Sequence, residues 1–413
     1  MASIEFKMAW RNIWRNPRRS ILTILAIAFA CLLLIFMLSW QFGSYETMIN
    51  STVKIQTGHL QVQALGYREK NDIRLAIGDP AAVVRIVEKT PGVSAYTLRS
   101  RTFSLISSKN RTYGAMVIGI DPEREGRMSP LRTLVRKGRY FSADDGNQAI
   151  IGHLLANNLR VSIGDELIIL GQGFDGSVAA SMVKVKGVFN SGQDDFDRGL
   201  VHIPLQFFEA VYAMRGAVHE VVVVGNSLKA VAGIKKEVAD GLVSAGLESK
   251  LTVLDWKELM PGLIEAIKMD LVSGLIFYMI LIVVVAFSIL NTFLMAIFER
   301  TREFGILMAM GTSPGKLTRL LLLESVTMTL LGVCIGAVAG SLITTYFQAH
   351  GIVIPGATEL LRQYGLPERM HPRLSVLSAS IGAGIVLLIT SLTALYPSLK
   401  VRRLRPVEAM MAA

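Results

Sequence analysis

The sequence predicts a membrane α-helical protein with four transmembrane helices and a large extracytoplasmic α/β domain inserted between helices 1 and 2. Three observations predict it. The 413 residues are 51% apolar and only 18% charged, and the apolar residues are bunched into Ile21–Trp40, Leu271–Phe298, Leu320–Phe347 and Leu374–Tyr396, each about 20 or more residues long, enough to cross roughly 30 Å of hydrocarbon. Lys and Arg gather beside alternate ends of these runs. Between the first two runs lies a segment that alternates helix and strand signals.

Taken in chain order, residues 1–19 form an amphipathic elbow helix. Phe6, Trp10, Ile13 and Trp14 recur on one face and Lys7, Arg11 and Arg15 on another, so the rings reach the acyl boundary while the cations meet anionic headgroups. Pro17 ends that helix. The first span, 20–43, has small-x-small patterns at Ala26–Ala28 and Ala28–Ala30, but they lie inside the apolar run, so it reads as an uncleaved anchor and not a signal peptide. Domain 44–265 follows, then span 266–298, a connector at 299–319, span 320–347, an outer loop at 348–373, span 374–397 and a tail at 398–413.

Orientation follows from the basic residues. Lys7, Arg11, Arg15, Arg18 and Arg19 precede the first span, Arg300, Arg302, Lys316 and Arg319 lie between the second and third, and Lys400, Arg402, Arg403 and Arg405 follow the fourth. These segments belong in the cytoplasm, with both termini, and the domain and outer loop face outward. Topology accounts for much of the net charge of +11, so no nucleic-acid partner is needed. The two cysteines, Cys31 and Cys334, fall inside spans, so the domain must hold together on its core alone.

Within the domain, Asp79 opens a helix that a Pro-Gly break converts to a strand. The stretch from His219 to Trp256 reads strand, helix, strand. Between these lies a more β-rich insert at about 100–200. After Gly43 no strong breaker stops the first helix, so it can continue outward as a stalk, and residues 256–270 are placed to form a second stalk.

Candidate chemistry is sparse. The six histidines (His59, His153, His202, His219, His350 and His371) are scattered without zinc spacing. Asp194, Asp195 and Asp197 read as a solvated acidic turn and not a calcium loop. No catalytic or metal-binding residue emerges, so the chain reads as non-enzymatic, with no cofactor of its own. Gly332, Gly336 and Gly340 form G-x-x-x-G-x-x-x-G, which lets another helix approach closely. Whether that helix belongs to the same chain stays open. Glu324 reads either as a coupling residue or as a partner of Lys316 or Arg319, and Asn291 as a bond between helices.

The connector holds the most specific signal. ERTREFGILMAMGTSPGKL, residues 299–317, ends close to a phosphate-binding loop. It is one residue short between the glycines, and Leu317 stands where the hydroxyl should be. A helix over 299–310 would pair Glu299 with Arg302 and Arg300 with Glu303, leaving Phe304, Leu307 and Met308 as an apolar patch. Gly311 then allows a turn, and Pro314 starts the next helix. Spacing alone leaves two readings open, a docking helix for a soluble partner and a re-entry loop whose charges only set topology.

Four stretches in order carry a resemblance: A-W-R-N-I-W-R-N-P-R-R-S before the first span, N-T-F-L-M-A-I-F-E-R-T-R-E-F-G-I-L-M-A-M-G-T-S closing the second, L-E-S and spaced glycines in the third, and Y-P-S-L-K-V-R-R-L-R-P-V-E-A-M at the end. Together they resemble the FtsX/MacB-like permease superfamily of ABC transporters. The resemblance implies a permease subunit of the inner membrane whose coupling helix sits on a separate ATPase that binds ATP and Mg. Glu299, Arg300, Arg302, Glu303, Phe304, Gly305, Leu307 and Gly311 would be the coupling residues, with Arg302, Glu303, Phe304 and Gly305 in contact. It also implies a second permease copy or paralogue, membrane lipid, and a periplasmic lipoprotein or carrier as partners. Asp255-Trp256 and Lys268-Met269 before the second span are similar to the lipoprotein-releasing kind. The exporter kind carries its ATPase on the same chain, for which this sequence has no room. Mechanotransmission to a periplasmic enzyme, peptide sensing, and peptide or drug export remain alternatives.

Overall fold

The computed structural model describes residues 2–109, 111–142, 145–356, 358, 361 and 369–401. The basic tail at Arg402, Arg403 and Arg405 lies outside the described residues, as does part of the outer loop. The chain divides into two units, one of residues 1–46, 266–352 and 369–413, the other of 47–265 and 353–368.

The first unit contains the helices Pro17–Gln56, Pro261–Glu299, Pro314–His350 and Val376–Val401 or the greater part of each. All four are long and apolar enough to cross a membrane. A leading helix, Ala2–Ile13, precedes them. It buries Ala9 and Ile13 and exposes Phe6 and Trp10, with Trp14 exposed just past its end, so Ile13 belongs to the packing face, not to the ring face expected for it. Pro17 opens the first span instead of closing the leading helix, because its fixed φ and missing N–H suit a first helical turn. The first span then runs unbroken to Gln56.

Glycine spacing brings two spans together. A Cβ on Gly332 would stand 2.7 Å from Ile27 Cβ, one on Gly336 2.7 Å from Cys31 Cβ, and one on Gly340 3.1 Å from Leu32 Cα. The three glycines therefore face the first span of the same chain, where Ile27, Cys31 and Ile35 are fully buried. Apolar side chains gain little from leaving lipid for protein, so close backbone approach and polar contacts carry the packing. Ser39 Oγ lies 3.0 Å from Ser378 Oγ, and Thr318 donates to the Ser398 carbonyl at 3.2 Å. Tyr45 donates to Asp270 at 2.5 Å and Tyr278 to Gln41 at 2.9 Å, tying the first span to the second. Asn291 is exposed instead of bonding to a neighbouring helix. Replacing Gly336 with leucine is expected to lower stability by about 1–3 kcal/mol through overpacking, seen as a lower melting temperature in detergent.

The second unit is built on a ten-stranded sheet. Its strands are β1 (Leu60–Ala64), β2 (Val93–Ser107), β3 (Thr112–Ile120), β4 (Val135–Gly138), β5 (Gln148–Gly152), β6 (Glu166–Gln172), β7 (Val178–Phe189), β8 (Leu200–Pro204), β9 (Glu220–Gly225) and β10 (Leu251–Asp255). The order is β10-β1-β9-β2-β3-β8-β5-β7-β4, with β6 paired to β2 and β7. Helix Pro80–Lys89 starts where Asp79 accepts the Ala82 N–H at 3.1 Å and buries Val83 and Val87. Helix Val231–Ser244 buries Val231, Ile234, Val238 and Leu242 at helical spacing. The β-rich middle is continuous with the outer part of the sheet. The first half of β2 pairs with β9 and the second half with β3 and β6, so one strand belongs to both.

Several buried polar groups in this unit are paired with one another. Arg99 clasps Glu125 through two hydrogen bonds of 2.6 and 3.0 Å, both side chains nearly inaccessible. Asp197 is fully buried, contrary to the solvated turn expected for it. It accepts the Ser191 N–H and hydroxyl and lies 2.9 Å from His153. Asp194 and Asp195 alone are exposed. His219 accepts the Arg101 N–H at 3.1 Å through Nδ1, so Nε2 carries the proton and donates to the Ile73 carbonyl at 2.9 Å. Burial pushes its pKa down to about 4. The unfolded chain therefore takes up a proton near pH 6.5 that the fold excludes. Stability is full above that pH, falls as pH drops, and levels off below about 4. We expect a loss of roughly 2 kcal/mol from this residue at pH 5, measured as the difference between His219→Gln and the parent in pH-dependent melting.

Candidate functional site

The connector between the second and third spans is the candidate site. The second-span helix stops at Glu299, and Arg300, at φ −105° and ψ 8°, breaks the chain before helix Thr301–Ala309 begins. Gly311 closes that helix at φ +95°, a left-handed conformation that disfavours any side chain. Its N–H bonds the Met308 carbonyl and the Thr312 N–H the Leu307 carbonyl, each at 3.0 Å. The third span starts at Pro314. The backbone donors that a phosphate loop would present are thus engaged in ending a helix.

Which side of the connector is open differs from the sequence expectation. Phe304 and Met308 are buried, clustering with Ile297 of the second span and Leu317 and Leu321 of the third, with Leu307 packed against them. Gly305 is buried too. These residues hold the connector onto the bundle and are not an exposed patch. The exposed side is Arg302, Ile306, Ala309 and Met310. Ile306 and Met310 are 46% and 70% exposed, and with Arg302 they form an i, i+4, i+8 stripe. Sequence reading missed Ile306 and Met310, because spacing marks the two faces of the helix but not which of them packs on the bundle.

The charges form a lattice behind that stripe. Arg15 grips Glu303 with two hydrogen bonds of 2.7 and 3.1 Å, and Arg19 reaches Glu299 at 2.9 Å. Arg300 lies 3.4 Å from Glu303 and 3.2 Å from Glu324 on the third span, with its guanidinium 5.4 Å from the centre of the Phe304 ring. Glu299 therefore pairs with the first span and not with Arg302. Glu324 is held by the connector instead of by Lys316 or Arg319. Three arginines and three glutamates cancel, so the lattice joins the connector to the first and third spans without net charge. Arg302 projects away from it and is exposed.

Comparison with known proteins places this geometry in a family. A profile described as the MacB-like periplasmic core domain matches residues 20–240, more than half of the chain, and one described as the FtsX-like permease C-terminal region matches residues 275–406. The chain belongs to the FtsX/MacB-like family of ABC transporter permeases. The permease is 23% identical over 416 residues to the lipoprotein-releasing system transmembrane protein LolC of Xylella fastidiosa, covering 95% of this chain and 93% of the relative. It is 25% identical to the ABC transporter permease YvrN of Bacillus subtilis, covering 98% of each. A 123-residue stretch is 31% identical to the macrolide export ATP-binding/permease protein MacB of Chlorobaculum tepidum, covering 30% of this chain and 16% of that one. Permeases of this class work with an ATPase, and ATP hydrolysis generally belongs to separate subunits. Among the described residues no cluster of three metal-ligating side chains occurs.

Proposed function

We propose that this permease releases lipidated proteins from the outer leaflet of the cytoplasmic membrane, driven by a separate ATPase that docks on the connector at the cytoplasmic side. The observation that carries this reading is the exposed stripe Arg302, Ile306 and Met310 on a helix fixed to two spans. An apolar pair flanked by a cation suits a groove on a soluble subunit. Similarity to LolC along nearly the whole of both chains supports the lipoprotein substrate. The basic residues before the first span and in the connector support a cytoplasmic placement for both. A second permease copy or a paralogue completes the transporter. The MacB-like core favours a second reading, export of a peptide or drug.

The test is to purify the tagged chain from its native membrane in mild detergent and identify what accompanies it by mass spectrometry. An ATPase with acylated proteins supports lipoprotein release. An ATPase without them, and ATP turnover stimulated by peptides or drugs, favours export. A periplasmic hydrolase or sensor kinase in their place points to mechanotransmission. The absence of an ATPase overturns the docking reading.

A further inference from the structure

The ten-stranded domain contains a cavity of about 100 Å³. A site holding one water needs some 10–15 Å³ measured in this way, so this one has room for a small organic molecule. Its polar lining includes Arg99, Ser129 and Ser191 and one cross-strand row. Arg101 of β2 stands opposite Ile118 of β3, which stands opposite His202 of β8, and all three line the cavity. Side chains in one such row point to the same face of a sheet.

Two nitrogens of that row are buried without a hydrogen-bond partner in the protein, Arg101 Nε and His202 Nδ1. Arg101 Nη2 donates to Glu220 at 2.8 Å, and Nε lies 2.8 Å from the same carboxylate without the alignment of a hydrogen bond. His202 is 9% exposed. Burial first, then the charges of Arg99 and Arg101, hold its pKa down to about 3, so it is neutral and bonds without adding charge. Leaving a buried nitrogen such as His202 Nδ1 unsatisfied costs on the order of 1–3 kcal/mol. The lining also holds the apolar Leu131, Leu134, Phe189 and Phe196. Gln56 and Thr57, at the end of the first-span helix, also line it.

We propose that this cavity binds a small carboxylate with a short apolar tail, its oxygens meeting Arg101 and His202 and its tail lying against Leu134 and Phe189. The inference does not depend on which cargo the permease moves. Its occupant would touch the last turn of the helix that forms the first span, so binding is placed to bias that helix.

The test uses the full chain in nanodiscs and equilibrium dialysis with labelled hexanoate, with hexan-1-ol as the uncharged control. We expect saturable one-to-one binding of hexanoate, at least tenfold weaker binding of hexan-1-ol, and a tenfold or greater loss of hexanoate affinity in Arg101→Gln. Because Arg101→Gln also strips Glu220 of its partner, Leu134→Trp serves as a second variant that fills the cavity. It should abolish binding while leaving the melting temperature within a few degrees of the parent. Absence of saturable hexanoate binding, equal affinity for the alcohol, or binding unchanged in Leu134→Trp would each overturn the proposal, leaving the cavity to water.

Discussion

Replacing Arg300 with alanine is expected to destabilise the helical unit by about 3–5 kcal/mol, the usual cost of stripping one partner from a buried ion pair. The Glu324 side chain is only 6% exposed and Arg300 14%, so the remaining carboxylate cannot turn to water without opening the bundle. The loss also removes a cation that lies beside Phe304 and contacts Glu303. The measurement is the melting temperature in a fixed detergent, together with that of the double variant Arg300→Met, Glu324→Gln. If the cost arises from an orphaned charge, the double variant recovers most of the stability. Equal loss in both would show that Arg300 acts through its packing alone.

Placing a glutamate at both Ile306 and Met310 is expected to lower substrate-stimulated ATP turnover by tenfold or more with a melting temperature unchanged within a degree or two. Both side chains face outward, so neither change disturbs the cluster around Phe304. A charge placed in the apolar centre of an interface finds no solvent there and weakens docking by a few kcal/mol. Phe304→Ala makes the contrast. It should lower stability by about 3–5 kcal/mol as a core truncation, and any loss of turnover would follow unfolding. Full turnover in the double glutamate variant would sink the docking reading.

The contrast shows what the sequence made legible. Apolar length marked the four spans, because a run of some twenty residues has few other uses. Asp79, the Pro-Gly break and the alternation around β9 marked the ends of the inserted domain for reasons equally local. The connector defeated local reading. Spacing showed Phe304 and Met308 on one face of the helix but not that this face packs against Ile297, Leu317 and Leu321. Arg15 and Arg19 are far from their partners Glu303 and Glu299 in sequence, and no periodicity links residues 280 or more positions apart. Asp197 reads as a surface turn for the same reason, since its partners Ser191 and His153 are chosen by the fold.

The long strand β2 has a mechanical meaning. Because its first half pairs with β9 and its second with β3 and β6, the inserted domain has no joint between its outer and middle parts. Bending it there would break ladder hydrogen bonds on both sides of one continuous backbone. Such a body behaves as a beam and not as a clamshell, carrying a displacement from one end to the other without folding in on a cargo. In native-state hydrogen exchange the protected amides of β2 will then open together, in one cooperative event spanning both halves of the sheet.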